Sequence, residues 1–177
     1  TELNNTSSEN WIEVIGHREN VLIEGIDIFK DFLVVSERFN GLNRINIKPW
    51  NGSESYYLKF ESETFSCYTT GNLDFDSKKL RYAYNSLNEP HSIIEFDMFS
   101  KDKIILKQNQ VLDTKFSKDN YITKRIWADS RDGTKIPISV IHKKNIKKDG
   151  TNPLLLYGYG SYGNTIDPTF SISRLSL

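Results

Sequence analysis

The most informative segment of the chain is Leu154-Leu155-Leu156-Tyr157-Gly158-Tyr159-Gly160-Ser161-Tyr162-Gly163. Its apolar run follows Pro153 and predicts a buried strand from Leu154 to Leu156. The alternating glycines and tyrosines after it predict a tight, exposed loop that holds aromatic side chains. Because α/β folds place their chemistry in loops at strand ends, this segment is a candidate for part of an active site.

Three interpretations of these residues are open. The three glycines, Gly158, Gly160 and Gly163, fit the spacing of a dinucleotide-binding loop, which requires a helix that opens at the third glycine. Asp167-Pro168 argues against that helix, because the residue before proline is biased out of the helical region. Ser161 would be a nucleophile only with a glycine at position 159, where a tyrosine stands. The third interpretation is a purely structural glycine-rich turn with packed tyrosines.

A weak internal repeat runs through the first two thirds of the chain. Residues 25–29 align with residues 71–75, at a spacing of about 46 residues. Short strands in units of this length are typical of β-propeller blades. Two blades cannot close a ring, so we expect the remaining blades before Thr1, and self-association or partial disorder of the isolated chain. The predicted strands are 32–38, 44–48 and 56–60 in the first unit and 80–86, 93–96 and 104–107 in the second.

The character of the sequence changes near residues 112–120, which are polar and weakly patterned. Beyond them, residues 121–128 and 136–142 predict two strands joined by a hairpin turn at Asp132-Gly133. A hairpin followed by a buried strand and a glycine-rich loop is how an α/β-hydrolase sheet begins. The sequence therefore predicts a mostly β chain. Its expected domains are about two blades of a partial β-propeller in residues 1–118 and the first strands of an α/β-hydrolase domain in residues 119–177.

The composition excludes some classes of partner. Lys+Arg and Asp+Glu each number 23, so the formal net charge is zero and no global field attracts nucleic acid or an anionic membrane. No apolar run is long enough for a membrane helix, and no signal peptide opens the chain. We therefore expect a cytoplasmic protein. The chain begins with a threonine in a polar stretch, residues 1–10, and ends on residues 172–177, whose apolar positions are followed by no closing turn. We therefore expect a piece of a longer polypeptide.

Isolated reactive side chains indicate no additional site. Cys67, the only cysteine, lies in a strand-like run and is expected to be a small buried hydrophobe rather than a reactive thiol. His17 and His91 lack a second ligand at metal spacing, so neither a metal nor another cofactor is expected. Three arginines are expected to pair with acids rather than to line a channel: Arg38, Arg44 and Arg81.

Several longer motifs resemble one family of enzymes. The segments RIWADSRDGTKIPISVIHKK, NPLLLYGYGSYG and DPTFSISRLSL are similar to the start of the catalytic domain of the prolyl oligopeptidase family of serine peptidases. HRENVLIEGIDIF and LRYAYNSLNEP resemble the end of that family's β-propeller. Within the family the likeness is nearest to the oligopeptidase B branch, also called protease II. The resemblance covers almost the whole chain and implies short peptides as substrates of the intact protein.

The resemblance also implies roles for two tyrosines. The second tyrosine of the family's YGYG motif donates its hydroxyl to the oxyanion, and it corresponds to Tyr159. Tyr162 falls where prolyl oligopeptidases, with YGYGGF, carry a phenylalanine in the wall of the primary specificity pocket. The sequence Ser161-Tyr162-Gly163 favours the branch that cleaves after Arg or Lys.

In that family the nucleophile, the acid and the base all follow this motif, so they would lie beyond Leu177. The resemblance therefore implies that this chain alone has no peptidase activity. A hypothesis from another class is a non-catalytic β-propeller scaffold for protein interactions.

Overall fold

The computed structural model describes residues 1–175, which form two four-stranded antiparallel sheets and a separate two-stranded hairpin. Positions 176–177 of the predicted catalytic segment lie outside the described residues. The first sheet contains β1 (Val21–Ile28), β2 (Phe32–Phe39), β3 (Leu42–Pro49) and β4 (Tyr56–Tyr57). The second contains β5 (Phe65–Thr69), β6 (Lys79–Ser86), β7 (Ser92–Asp97) and β8 (Lys103–Gln108), and the hairpin contains β9 (Tyr121–Asp129) and β10 (Lys135–Lys143). The helices are short: two 3-10 turns, Ser8–Asn10 and Lys118–Asn120, and α1 (Ile172–Leu175).

Each four-stranded sheet is a meander in which consecutive strands are hydrogen-bonded neighbours. Two such meanders in succession are the arrangement of adjacent propeller blades, so the predicted mostly β fold with about two blades is confirmed. The turn between β2 and β3 shows why a tight connection is possible. Asn40 and Gly41 both have positive φ, 52° and 74°, which is the backbone of a two-residue hairpin turn that follows the twist of its strands.

Two strand predictions were incomplete. β1 was not predicted as a strand, because Gly25 interrupts its apolar pattern at a bulge in the register with β2. The predicted strand 56–60 contains only Tyr56 and Tyr57, which pair with Ile47 and Asn46. Leu58 adds one further hydrogen bond, from its N–H to the Ile45 carbonyl, and its side chain is buried.

The apolar core lies between the two sheets. Residues from β2 and β3 meet residues from β5, β6 and β7, and each fully buried aliphatic or aromatic side chain contributes about 1.5–3 kcal/mol relative to exposure. Cys67 belongs to this core and is 2% exposed, so its prediction as a buried hydrophobe is confirmed. The core comprises Phe29, Phe32, Val34, Ile45, Ile47, Leu58, Cys67, Leu80, Tyr82, Tyr84, Ile94, Phe96 and Met98.

The β9–β10 hairpin agrees with its prediction. Its strands pair without a register shift, from the pair of Tyr121 with Lys143 to the pair of Asp129 with Lys135. The turn is closed by the N–H of Gly133, which donates to Ser130, and by the N–H of Ser130, which donates to Thr134. Gly133 has φ 83°, the left-handed conformation that glycine adopts without steric cost.

The predicted buried strand from Leu154 to Leu156 was wrong. These residues form no strand, and their side chains are 60–86% exposed. A strand requires a neighbour for its N–H and C=O groups, and within residues 1–175 no segment pairs with this run. Among the described residues there is also no helix long and apolar enough to cross a membrane.

The buried thiol gives a test of the core. Burial raises the pKa of Cys67 to about 12, with smaller contributions from the Asp167 and Glu24 carboxylates. At pH 8 the thiolate fraction is then about one in 10⁴, and the thiolate is the species that reacts with a disulfide reagent. We expect Cys67 to react with dithionitrobenzoate only as the chain unfolds in urea.

The matched control is Tyr68→Cys in a Cys67→Ser background, because Tyr68 is the next residue of the same strand and is half exposed. That thiol should react in the native state within the mixing time. Rapid reaction of Cys67 in the native protein would contradict the core described here.

Candidate functional site

The residues from Tyr157 to Gly163, which we name the tyrosine–glycine loop, are irregular and open to solvent. A Cβ atom added at Gly158 or Gly160 would meet nothing within 4 Å. Tyr162 and Gly163 have φ values of 55° and 69°, and the N–H of Asn164 donates to the Ser161 carbonyl at 3.0 Å. The segment is therefore an exposed turn, as its glycine and tyrosine content predicts.

The two tyrosines with predicted roles lie on this loop without partners. Tyr159 is 50% exposed and Tyr162 is 92% exposed. In the described part of the chain neither phenol hydroxyl forms a hydrogen bond. The oxyanion role of Tyr159 and the pocket-wall role of Tyr162 thus stay predictions. The dinucleotide interpretation is wrong in its structural requirement, because no helix opens at Gly163.

The segment after the loop is fixed to the first blade by an ion pair. Arg38 on β2 donates from Nη1 to Asp167 Oδ1 at 2.7 Å and from Nη2 to Asp167 Oδ2 at 3.4 Å. Its Nε donates to Glu24 Oε1 at 2.7 Å. Burial lowers the pKa of Arg38, but the hydrogen bonds to Asp167 and Glu24 outweigh that effect and raise the pKa above its usual value.

Two further contacts complete this attachment. The N–H of Phe170 donates to the Asn85 side-chain oxygen at 3.0 Å, and Pro168 between the two anchors is buried. The Phe170 ring packs edge-on against Phe116 at a centroid distance of 5.4 Å. Residues 167–170 therefore contact both blades and the connection between the second blade and the hairpin.

Arg125 of β9 links the hairpin to the propeller. Its Nη2 donates to the carbonyl of Asn40 at 2.8 Å, and its Nη1 donates to Ser139 Oγ at 2.5 Å. The backbone N–H of Arg125 donates to Glu63 Oε2 at 3.2 Å. The β2–β3 turn thus rests on the hairpin, and Gly41 leaves the space that the Arg125 side chain occupies.

A cavity of about 260 Å³ opens between that turn, the start of β5 and the hairpin. Arg125 borders it, and among residues 1–175 its guanidinium forms no ion pair and its buried Nε has no hydrogen-bond acceptor. Burial lowers the pKa of Arg125, and the attraction of Asp167 offsets only part of this effect. The residues that line the cavity include Phe39, Asn40, Arg44, Phe65, Arg125 and Trp127.

A second arginine on the cavity wall is fixed by aromatic rings. The Arg44 guanidinium lies 4.4 Å from the Phe39 ring centroid and 4.3 Å from that of Tyr57, within the range of cation–π attraction. Its Nε donates to Glu37 Oε2 at 2.9 Å. The buried Glu37 carboxylate also accepts from Arg18 and from the Tyr57 hydroxyl, so both of its oxygens are satisfied.

The prediction that three arginines pair with acids is confirmed, since Arg38 bonds Asp167 and Glu24, Arg44 bonds Glu37, and Arg81 bonds Glu95. Sequence reasoning missed Arg125 and Asp167 as site residues. The only signal for Asp167 was its position before proline in a polar loop, and nothing near Arg125 in the sequence indicates a cavity.

Two histidines lie within hydrogen-bond distance of a neighbouring group. His142 lies on β10, with Nδ1 2.8 Å from the Lys143 carbonyl oxygen, and His91 meets the Tyr68 hydroxyl at 3.1 Å. Across residues 1–175 no group of three or more His, Cys, Asp or Glu side chains is arranged to hold a metal ion.

Successive four-stranded meanders that share a core, with a hairpin resting on one of their turns, define a protein of the β-propeller class. Residues 1–109 match the N-terminal β-propeller domain of prolyl oligopeptidase. The chain belongs to the prolyl oligopeptidase family.

Two curated relatives match nearly the whole chain. Dipeptidyl aminopeptidase BI of Pseudoxanthomonas mexicana is 38% identical over 173 residues, which cover 97% of this chain and 24% of that protein. Protease 2 of Moraxella lacunata is 26% identical over 175 residues, which cover 99% of this chain and 25% of that protein. The chain thus spans about a quarter of the length of the curated relatives it matches.

Two solved structures share the fold and about a third of the residues. Oligopeptidase B from Trypanosoma brucei, in a closed form with covalently bound antipain, is 31% identical with a TM-score of 0.79 and matches 89% of this chain and 23% of that one. Oligopeptidase B from Leishmania major is 30% identical with a TM-score of 0.80 and matches 91% of this chain and 24% of that one.

Gly41 provides a test of the contact between turn and hairpin. A Cβ at this position would lie 2.9 Å from Arg125 Nη2 and 3.2 Å from Pro137 Cγ, whereas at Gly133 it would meet nothing within 4 Å. Both glycines have positive φ, so alanine at either costs about 1 kcal/mol in backbone strain. We expect Gly41→Ala to lower the free energy of urea unfolding by at least about 1 kcal/mol more than Gly133→Ala. Equal losses would contradict the close approach.

Proposed function

We propose that this chain is part of a serine-type oligopeptidase that hydrolyses short peptides through an acyl-enzyme. The observation that carries the proposal is that relatives named as peptidases match 97–99% of the chain, a span that includes the tyrosine–glycine loop. In this proposal residues 1–118 belong to the propeller and residues 119–177 begin the catalytic domain. The covalently bound antipain of the Trypanosoma brucei relative is what a peptidase with a nucleophile would hold.

Tyr159 would act on the oxyanion. When a serine attacks a peptide carbonyl, the oxygen gains negative charge, and a preorganised donor at that point lowers the barrier by about 3–4 kcal/mol. The Tyr159 side chain is half exposed on a turn, and its hydroxyl is not occupied by another residue of the described chain. It is therefore free to donate to a substrate. The nucleophile, the base and the acid would come from residues outside this chain.

The preferred substrate follows from the tyrosine–glycine loop. In the proposal Tyr162 forms one wall of the primary specificity pocket, and cleavage follows Arg or Lys. The support is the 30–31% identity with two oligopeptidases B. The reduced, buried Cys67 is compatible with a cytoplasmic location, which we also propose.

A second candidate activity is the release of dipeptides from the amino terminus of a peptide. The specific observation in its favour is the 38% identity with dipeptidyl aminopeptidase BI over 97% of the chain. The two activities differ in whether the substrate needs a free amino group, so one pair of substrates separates them.

The test compares the intact polypeptide that contains this chain with the 177-residue chain. Both are treated with a fluorophosphonate probe and assayed on an arginine amide whose amino terminus is blocked and on the free dipeptide amide Gly-Arg. We expect labelling and cleavage by the intact polypeptide only. Cleavage of the blocked substrate supports the oligopeptidase, and cleavage of the free dipeptide amide alone supports the dipeptidyl aminopeptidase.

In the intact polypeptide, Tyr159→Phe should lower kcat by about 10²-fold with little change in KM, because the lost donor acts only in the transition state. Tyr157→Phe removes the same atom from the same exposed loop and should leave kcat within about twofold. Equal effects of the two changes would refute the role of Tyr159. Absence of labelling in the intact polypeptide would favour the non-catalytic scaffold, and labelling of the 177-residue chain would place a nucleophile within it.

A further inference from the structure

We propose that the cavity beside Arg125 is a binding site for a carboxylate that is attached to an aromatic or branched apolar group, such as the carboxyl-terminal residue of a short peptide. We name it the Arg125 cavity; it is lined by Phe39, Asn40, Arg44, Phe65, Arg125 and Trp127. Such binding involves residues of this chain alone and is independent of peptidase chemistry.

Within residues 1–175 the charge of Arg125 is unpaired. Its two bonded Nη atoms donate to neutral acceptors, the Asn40 carbonyl and the Ser139 hydroxyl. Among the residues that the structure describes, its guanidinium forms no ion pair, and Asp167 is already engaged by Arg38. The exposed carboxylate of Glu63 meets only its backbone N–H. A partly buried cation without a counterion gains most from an anion that can enter the cavity.

Arg44 adds positive charge to the same wall of the cavity. Only its Nε is used, for Glu37, so its terminal nitrogens have no hydrogen-bond partner in the described chain. The single Glu37 carboxylate is shared by Arg44 and Arg18, which leaves that group with a net positive charge. The stacking of Arg44 between Phe39 and Tyr57 fixes its plane, so little side-chain entropy is lost when a carboxylate binds.

Aromatic side chains supply an apolar lining beside these charges. Phe39, Phe65 and Trp127 line the cavity, and Trp127 is 47% exposed. Small-molecule sites are mostly apolar with a few placed polar groups. A volume of about 260 Å³ accommodates a carboxylate with one aromatic or branched side chain. An inorganic anion would leave the aromatic surface uncovered.

The experiment titrates N-acetyl-L-phenylalanine and its carboxamide into the ¹⁵N-labelled 177-residue chain and follows the Trp127 indole and the Arg125 Nε resonances. The two ligands differ only in the charged group. We expect the acid to shift both resonances with a millimolar Kd, and the amide to bind at least about tenfold more weakly, because a charge-assisted hydrogen bond is lost. Higher salt should weaken the acid and not the amide.

A third ligand tests whether the cavity recognises the peptide group beside the carboxylate. 3-Phenylpropionate keeps the ring and the carboxylate but lacks the peptide group. If it binds as tightly as the acetylated amino acid, the cavity accepts apolar acids in general. If it binds more weakly, the cavity also recognises the peptide group, as a carboxyl terminus would supply.

Variants test the role of the guanidinium. Arg125→Gln should weaken the acid by about tenfold or more and leave the amide unchanged, and Arg125→Lys should be intermediate, since it keeps the charge without the fork. The matched control is Arg131→Gln, the same change at the exposed tip of the same hairpin, which should alter neither affinity by more than about twofold.

Even if Arg125→Gln disturbs the hairpin, the titration of the unsubstituted chain shows whether the cavity binds a carboxylate. Equal affinities for acid and amide, or no shift of Trp127 when the acid is in large excess, would overturn the proposal. So would an unchanged acid affinity in a folded Arg125→Gln variant.

Discussion

The ion pair between Arg38 and Asp167 is the contact on which the candidate site depends. It joins residues that are 129 positions apart and attaches the segment after the tyrosine–glycine loop to the first blade. The side chains of Arg38 and Asp167 are only 17% and 27% exposed, so solvent screens the pair less than it screens a surface salt bridge. Asp167 is used in this way, and within residues 1–175 Arg125 forms no ion pair, although the Asp167 carboxylate attracts it.

The two blades supply the rigid surface that makes this contact possible. Their shared core fixes β2, whose Phe32 and Val34 face the second sheet, while Arg38 near the end of the same strand reaches Asp167. Glu37 lies on the other face of β2, where it is buried and hydrogen-bonded to two arginines and a tyrosine. A buried carboxylate is tolerated only when its oxygens are satisfied, so this network also holds Arg44 at the cavity wall.

Local patterns in the sequence predicted most strands and the hairpin turn, but they could not predict contacts between residues far apart in the chain. Asp132-Gly133 identified the hairpin, and the repeat from Gly25 to Gly71 identified the blades, because turn chemistry and alternation depend on near neighbours. The run at Leu154 was mistaken for a strand, since apolar character alone cannot show whether a partner strand exists. The role of Tyr159 came from resemblance alone. Arg125 and Asp167 acquire their roles from residues far away in the chain. No local signal marks Arg125, and the only one for Asp167 is its position before proline in a polar loop.

A double-mutant cycle of Arg38→Met and Asp167→Asn, measured by urea unfolding, tests most directly whether this ion pair holds the site together. The account predicts a coupling energy of about 1–2 kcal/mol, because the pair is partly buried and hydrogen-bonded at both oxygens. The control is the longer pair of Arg81 and Glu95, at 3.4 Å, whose arginine side chain is 51% exposed; Arg81→Met and Glu95→Gln should give a coupling of less than about 0.5 kcal/mol. A coupling for Arg38 and Asp167 no larger than that of the control pair would contradict the account.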